Sequence, residues 1–207
     1  PVKGIRRFPE KKRKRYLSQI ELARLGDALA KAEQGELARS VSPYAVAMIR
    51  LLALTGARHS EIRTLRWDEV NFERRCLELP DSKTGEKEVF LPPAALEVLA
   101  SLRRQEGNPY VIAGRRQGSH LVNAKDTWAF VCEVADLEDV RMHDLRHSFA
   151  SVGARAGMSL PVIGALLGHR ETVTTARYAH LSDDPKRLAA DAIGEEIAEA
   201  MGTGHGN

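Results

Sequence analysis

Four short stretches of this sequence hold side chains whose types and spacing could act on an anion. They are Thr55-Gly56-Ala57-Arg58-His59-Ser60-Glu61-Ile62, the Asp81-Ser82-Lys83-Thr84-Gly85 turn, His143-Asp144-Leu145-Arg146-His147, and Leu167-Gly168-His169, followed nine positions later by Tyr178. Arginine suits an anionic centre because its guanidinium presents planar paired donors and stays protonated, whereas lysine offers a single point charge. His143 precedes Arg146 by three residues, so on a helix both side chains leave one face and can reach the same group. Imidazole exchanges protons near neutral pH. A phenol such as Tyr178 ordinarily ionises at about pH 10, and surrounding positive charge favours its phenolate. Each piece alone is weak. A single tyrosine is more often a core-edge aromatic with a satisfied hydroxyl, and a lysine in a polar turn is usually just solvated. Their order and separations within one chain give the set its weight.

Those residues need elements to place them. Ser18-Gln19-Ile20-Glu21 is a capping-box pattern flanked by Leu17 and Leu22, so a helix is predicted to begin at Ser18, with Leu22, Leu25 and Leu29 on one face. Ser42-Pro43 opens a second helix, in which Ala45, Met48, Ile49 and Leu52 repeat as a buried stripe, and Thr55-Gly56 closes it. A short helix is expected over 60–65. Extended segments follow near 69–72, 76–79 and 88–91, with Lys83 at a hairpin tip. Pro92-Pro93 ends the sheet and starts a helix reaching about residue 103, and further helices are expected near 124–134, 144–156, 160–167 and 172–179. The expected fold class is therefore mainly α with a small antiparallel β-sheet (α+β), and Trp67 and Trp128 are expected in its core. A last amphipathic stretch, with Leu188, Ala192, Ile193, Ile197 and Met201 apolar, precedes a glycine-rich end.

With 207 residues, 43% of them hydrophobic, the chain can fill a sizeable core. No apolar run approaches the roughly 20 residues that span a bilayer, and no leader pattern opens the sequence, so a cytoplasmic protein without a membrane partner is expected. Cys76 and Cys132 lack the paired spacing of a zinc site and read as buried reduced thiols. The net charge of +3 is uneven: residues 1–15 hold eight Lys/Arg and one Glu (+7), which leaves −4 for the remainder. Within that cluster Lys11, Lys12, Arg13, Lys14 and Arg15 suit a polyphosphate backbone, although a solvated basic leader would have the same composition. There is no P-loop pattern and no carboxylate cluster suited to two-metal phosphoryl chemistry, so no cofactor and no metal is expected.

Taken together, the four stretches resemble the tyrosine recombinase, or phage integrase, family over about residues 17–180. The resemblance implies that family's catalytic-domain fold, of the DNA breaking-rejoining type. It also implies a site-specific recombinase that forms a 3′-phosphotyrosine with Tyr178 as nucleophile and a Holliday junction as intermediate. Arg58 and Arg146 would clamp the phosphate, whose pentacoordinate transition state carries extra negative charge. His143 would assist proton transfer at the tyrosine oxygen and bind the phosphate, and His169 would donate to a non-bridging oxygen. Glu61 would hold the Arg58 guanidinium in one orientation. Lys83 would protonate the departing 5′ oxygen, which otherwise leaves as a costly alkoxide. One ester replaces another, so religation needs neither ATP nor a metal.

By the same resemblance, residues 1–17 form a basic linker to a core-binding domain that lies outside this sequence. Residues 18–182 form the catalytic domain, and 183–207 a helix and tail that dock onto a neighbouring subunit. The expected partners are double-stranded DNA, three further copies in a tetramer assembled on DNA, and an accessory DNA-bending protein, with the isolated chain monomeric in solution. His59, His147 and His180 adjoin the motifs and read as structural or phosphate-proximal. Two other readings stay open: a type IB topoisomerase-like enzyme using similar residues on one duplex, and a DNA-binding module of the same fold with decayed activity. The Leu-Gly-His step to Tyr178 and the helical tail favour recombination over the first. The full set of expected residues argues against the second.

Overall fold

Helix α2 (Pro43–Thr55) is the axis of the fold, and its sequence gives the reason. Pro43 supplies a preset φ and a dispensable N–H at the helix start, and the run after Tyr44 is apolar on almost every side, as a helix surrounded by others must be. In the computed structural model, which describes residues 15–82, 85–169, 172–181, 190 and 193–198, α2 packs against four other helices. These are α1 (Gln19–Gln34), α3 (His59–Arg63), α4 (Pro93–Ser101) and α6 (Asp144–Arg155). Helix α5 (Lys125–Val134) leans on α1, closing a core in which Leu25, Leu29, Met48, Ile49, Leu52, Trp128 and Val131 are buried. Trp67 is partly buried at its edge, beneath the Arg104 guanidinium.

The expected capping box of α1 is present: Ser18 Oγ accepts from the Glu21 N–H, and the Ser18 N–H donates to Glu21 Oε2. Packing begins slightly upstream, since Leu17 is fully buried and its N–H donates to Ser148 Oγ on α6 at 2.8 Å. Arg15 is tied down as well, through hydrogen bonds to Glu21 and to the Glu138 carbonyl. Lys11, Lys12, Arg13 and Lys14 lie outside the described residues.

Strands β1 (Val70–Asn71), β2 (Cys76–Ser82) and β3 (Gly85–Phe90) form one antiparallel sheet in the order β1-β2-β3. Pairing runs through Leu77↔Val89 and Leu79↔Lys87, then shifts at a bulge before Ser82↔Gly85 closes the hairpin. Period-two alternation puts Lys87 on the same face as the buried Val89, which aims this lysine inward. Lys83 and Thr84, at the turn, lie outside the described residues.

A second, smaller core joins Ala150 and Ala154 of α6, Ile163 and Leu167 of α7 (Leu160–Leu167), and Tyr178. Here the structure departs from the single helix expected over 172–179: α8 (Thr172–Thr175) passes directly into a 3₁₀ segment, Ala176–Leu181. Four successive β-branched residues, Thr172, Val173, Thr174 and Thr175, disfavour continued α-helix through lost side-chain freedom. The tighter 3₁₀ winding carries Tyr178 instead. Residues 193–198 are helical, and much of the remaining tail lies outside the described residues. Among the described residues, no helix is long and apolar enough to cross a membrane.

Candidate active site

The site forms where the C-termini of α2 and α7 meet the first turns of α6. Helix α2 ends on Gly56 at φ +63°, a left-handed conformation that glycine adopts without penalty, and an added Cβ there would lie 2.7 Å from the Phe149 ring and 2.9 Å from Leu167. Helix α7 ends likewise on Gly168 at φ +66°. These two ends expose the carbonyls of Gly56, Leu167 and Gly168 to the same small volume. The negative end of a helix dipole favours a cation nearby.

Arg146 occupies that position. Its side chain leaves α6 nearly buried, at 5% exposure, and donates from Nη1 to the Gly56 carbonyl at 2.6 Å and from Nη2 to the Leu167 carbonyl at 2.7 Å. A guanidinium has five N–H donors, so two such bonds leave three for an incoming anion. Burial and the nearby Arg58 together lower the Arg146 pKa to about 10, which still leaves it charged at neutral pH. Arg58, at the N-cap of α3, donates from Nη2 toward the Gly168 carbonyl at 3.4 Å and from Nη1 to Glu61 Oε1 at 2.7 Å. Glu61 also reaches back to the Arg58 N–H at 2.7 Å, capping the short helix.

Glu61 has a further partner. Lys87 Nζ lies 2.8 Å from Glu61 Oε2, and both side chains are only 5% exposed. Burial works against the Glu61 carboxylate, but the hydrogen bonds from Lys87 and Arg58 outweigh it and hold its pKa below the ordinary value. Burial lowers the Lys87 pKa, opposed by its bond to Glu61 and reinforced by the two neighbouring guanidiniums. Arg58, Arg146 and Lys87 therefore stand around a single carboxylate, a +2 imbalance across four groups, and this corner favours a bound anion.

Three imidazoles and the phenol complete the cluster. His143 occupies the N-cap position of α6, and His147, one turn on, meets it edge to face with ring centroids 5.0 Å apart. His147 Nδ1 is hydrogen-bonded to Tyr178 Oη at 2.5 Å. Tyr178 is 4% exposed and close enough to Arg146 to influence its charge. His169 follows the Gly168 turn, and its Nδ1 is engaged by Thr175 Oγ1 at 2.9 Å, which fixes the orientation of the ring.

The structure thus brings Arg58, Glu61, Arg146, Tyr178 and the neighbouring histidines onto adjoining elements, whereas Lys83 is not described. Sequence reasoning missed Lys87 and Thr175, and it read His147 only as structural or phosphate-proximal. Strand alternation could have flagged Lys87, and the four-residue step from His143 could have flagged His147. Elsewhere among the described residues, Cys76, Glu78 and Glu88 have the reach to share a metal ion, but Arg74 binds both carboxylates, at 2.7 and 2.6 Å, and supplies their countercharge.

The phage integrase family profile matches residues 15–184, which takes in every element that builds this site. The chain belongs to the phage integrase family. This integrase-family chain is 31% identical to the tyrosine recombinase XerA of Pyrococcus furiosus over 162 residues, covering 72% of this chain and 57% of that protein. It spans about half the length of the curated relatives it matches. The catalytic domain of bacteriophage HP1 integrase superposes with a TM-score of 0.62 at 24% identity, covering 85% of this chain and 93% of that one. The Tn1549 transposon integrase, solved in complex with circular intermediate DNA, superposes with a TM-score of 0.64 at 19% identity, covering 87% and 66%. At those identities the structural likeness establishes the fold, a tyrosine recombinase catalytic domain that is mainly helical with one small antiparallel sheet.

Proposed function

We propose that this chain is the catalytic part of a site-specific DNA recombinase that cuts and rejoins DNA by transesterification at Tyr178. The observation that carries this reading is the placement of the Tyr178 phenol in the same buried corner as two guanidiniums held on helix C-termini. Tyr178 Oη attacks a backbone phosphorus, the bond to the 5′ oxygen breaks, and a 3′-phosphotyrosine and a 5′ hydroxyl result. Arg58 and Arg146 neutralise the non-bridging oxygens as charge builds on them, with His143 and His169 adding hydrogen bonds. Glu61 keeps the Arg58 guanidinium from swinging away, and Lys83 protonates the leaving oxygen. The displaced hydroxyl, or one from a partner strand, reverses the step, so the ester energy is conserved without ATP.

Its substrate is duplex DNA. Four copies act on two duplexes through a Holliday junction, with residues 183–207 of one copy docking on the next, Lys11, Lys12, Arg13 and Lys14 approaching the DNA backbone while Arg15 stays paired with Glu21, and an accessory protein bending the substrate. A nicked suicide substrate on a denaturing gel tests the chemistry: a covalent adduct is expected from the wild-type chain and none from Tyr178→Phe. An equal adduct from both, or none from the wild type, would overturn the reading. Relaxation of supercoiled plasmid without any need for paired sites would place the enzyme among the topoisomerases instead.

A further inference from the structure

A phenol that attacks phosphorus must lose its proton, and the group touching that proton is not the histidine the motif comparison points to. The imidazole hydrogen-bonded to Tyr178 Oη is His147, through Nδ1 at 2.5 Å, while His143 meets the His147 ring edge to face with centroids 5.0 Å apart. Short O–H···N contacts of this kind place donor and acceptor within direct transfer distance. The surroundings suit the task. His147 is half-buried on α6, one residue after Arg146, and Tyr178 is almost wholly buried against α6 and α7, so the pair is held by packing and not by a chance surface encounter.

We infer that His147 is the proton acceptor for Tyr178, taking the phenol hydrogen on Nδ1 as Oη bonds to phosphorus and returning it when the phosphotyrosine is resealed. This rests on Tyr178 being the nucleophile. In the forward step the O–H bond breaks, the phenol oxygen pair forms the new P–O bond, and the proton is held as the His147 imidazolium. The P–O5′ bond breaks at the same time, its electron pair leaving with the 5′ oxygen, which collects a proton from the separate general acid. In religation each transfer runs backwards, so His147 ends neutral and no external oxidant, metal or co-reactant enters. His143 keeps its role of binding the phosphate, and its edge-to-face contact supports the orientation of the His147 ring.

The test uses the 207-residue chain with a nicked suicide duplex and reads single-turnover formation of the covalent adduct. The variants are His147→Asn and His147→Gln, each with native tyrosine at 178 and each with a ring-fluorinated tyrosine there, whose phenol is more acidic than the ordinary value of about 10, run beside the wild type and Tyr178→Phe. DNA binding by mobility shift and the thermal unfolding midpoint are followed in parallel.

A proton acceptor predicts that His147→Asn slows adduct formation on the order of 100-fold while binding and unfolding change little, and that fluorotyrosine recovers most of that loss. His147→Gln serves if the Asn protein unfolds early. A loss that fluorotyrosine leaves intact would mean that His147 only holds the ring in place, and would overturn the inference. So would His147 variants that form adduct at nearly the wild-type rate. In both cases the proposed function survives, because the wild-type adduct and its loss in Tyr178→Phe are read in the same experiment.

Discussion

Lys87 and Glu61 bring the energetics of the site down to two atoms. A carboxylate and an ammonium, each nearly out of water, gain stability while paired, and removing Lys87 leaves the buried Glu61 charge stranded but for Arg58. Lys87→Met is therefore expected to lower stability on the order of 3 kcal/mol, measured by urea unfolding. Adding Glu61→Gln to it should cost less than the sum of the single changes, because the stranded charge disappears, and strict additivity would show that the two side chains do not interact. Arg146 makes a different demand. One ammonium cannot reproduce two terminal nitrogens donating to the Gly56 and Leu167 carbonyls, so Arg146→Lys should lower adduct formation by about 100-fold or more even though the charge is kept. A near-wild-type rate for this variant would reduce the role of Arg146 to simple charge. The arginines were legible in the sequence because each sits in a motif with a fixed offset. Lys87 was not, since its meaning depends on which face of β3 it takes and on what lies across from it.

Among the elements, the turns at the ends of α2 and α7 set the site's precision. Gly168 at φ +66° lets the Leu167 and Gly168 carbonyls face the two arginines, and a Cβ there would come within 2.7 Å of Lys87 Cε. Gly168→Ala is expected to cost about 1–2 kcal/mol for the left-handed backbone and to slow cleavage further by displacing a lysine that Glu61 holds in place. An unchanged unfolding midpoint would refute this. At the other end of the domain, Glu21 caps α1 and accepts from Arg15, whose hydrogen bond is the main reason its pKa falls from 4.5 to about 2. A depressed carboxylate pKa contributes stability that is complete above the unfolded value of 4.5 and lost as pH falls toward 2. Glu21→Gln should thus lower stability at neutral pH and flatten its decline across that acid window, and a parallel decline in both proteins would remove Glu21 as its source. Caps, proline starts and glycine stops made most helix positions readable from the sequence. The exception, the 3₁₀ segment under Tyr178, arises where β-branched crowding competes with helical periodicity, a contest that pattern matching does not weigh.

For the whole molecule, the sequence pattern carried the helical class, the three short strands and the order of the site residues. It could not carry the convergence of three helix ends on one corner, because that depends on how α2, α6 and α7 cross, and those crossings are settled by packing among residues with no chemical signature of their own. The same distinction governs assembly. Within the helical residues 193–198, Ile193 and Ile197 stand one turn apart and are 58% and 52% exposed, so the segment presents an apolar stripe to solvent in a single copy. If a second copy covers that stripe on DNA, converting both residues to aspartate should abolish the multi-subunit complex by placing charges in a dry interface, where they find no partner. Binding of one copy to one half-site would persist, because Tyr178 and the charged side chains gathered near it are built from the elements before residue 182. Native mobility shift on a full site would then show only the faster band for Ile193→Asp/Ile197→Asp, with strand exchange lost more completely than first-strand cleavage. Equal amounts of the slower complex in both proteins would mean that the stripe has no role between subunits and that the site draws nothing from its neighbours.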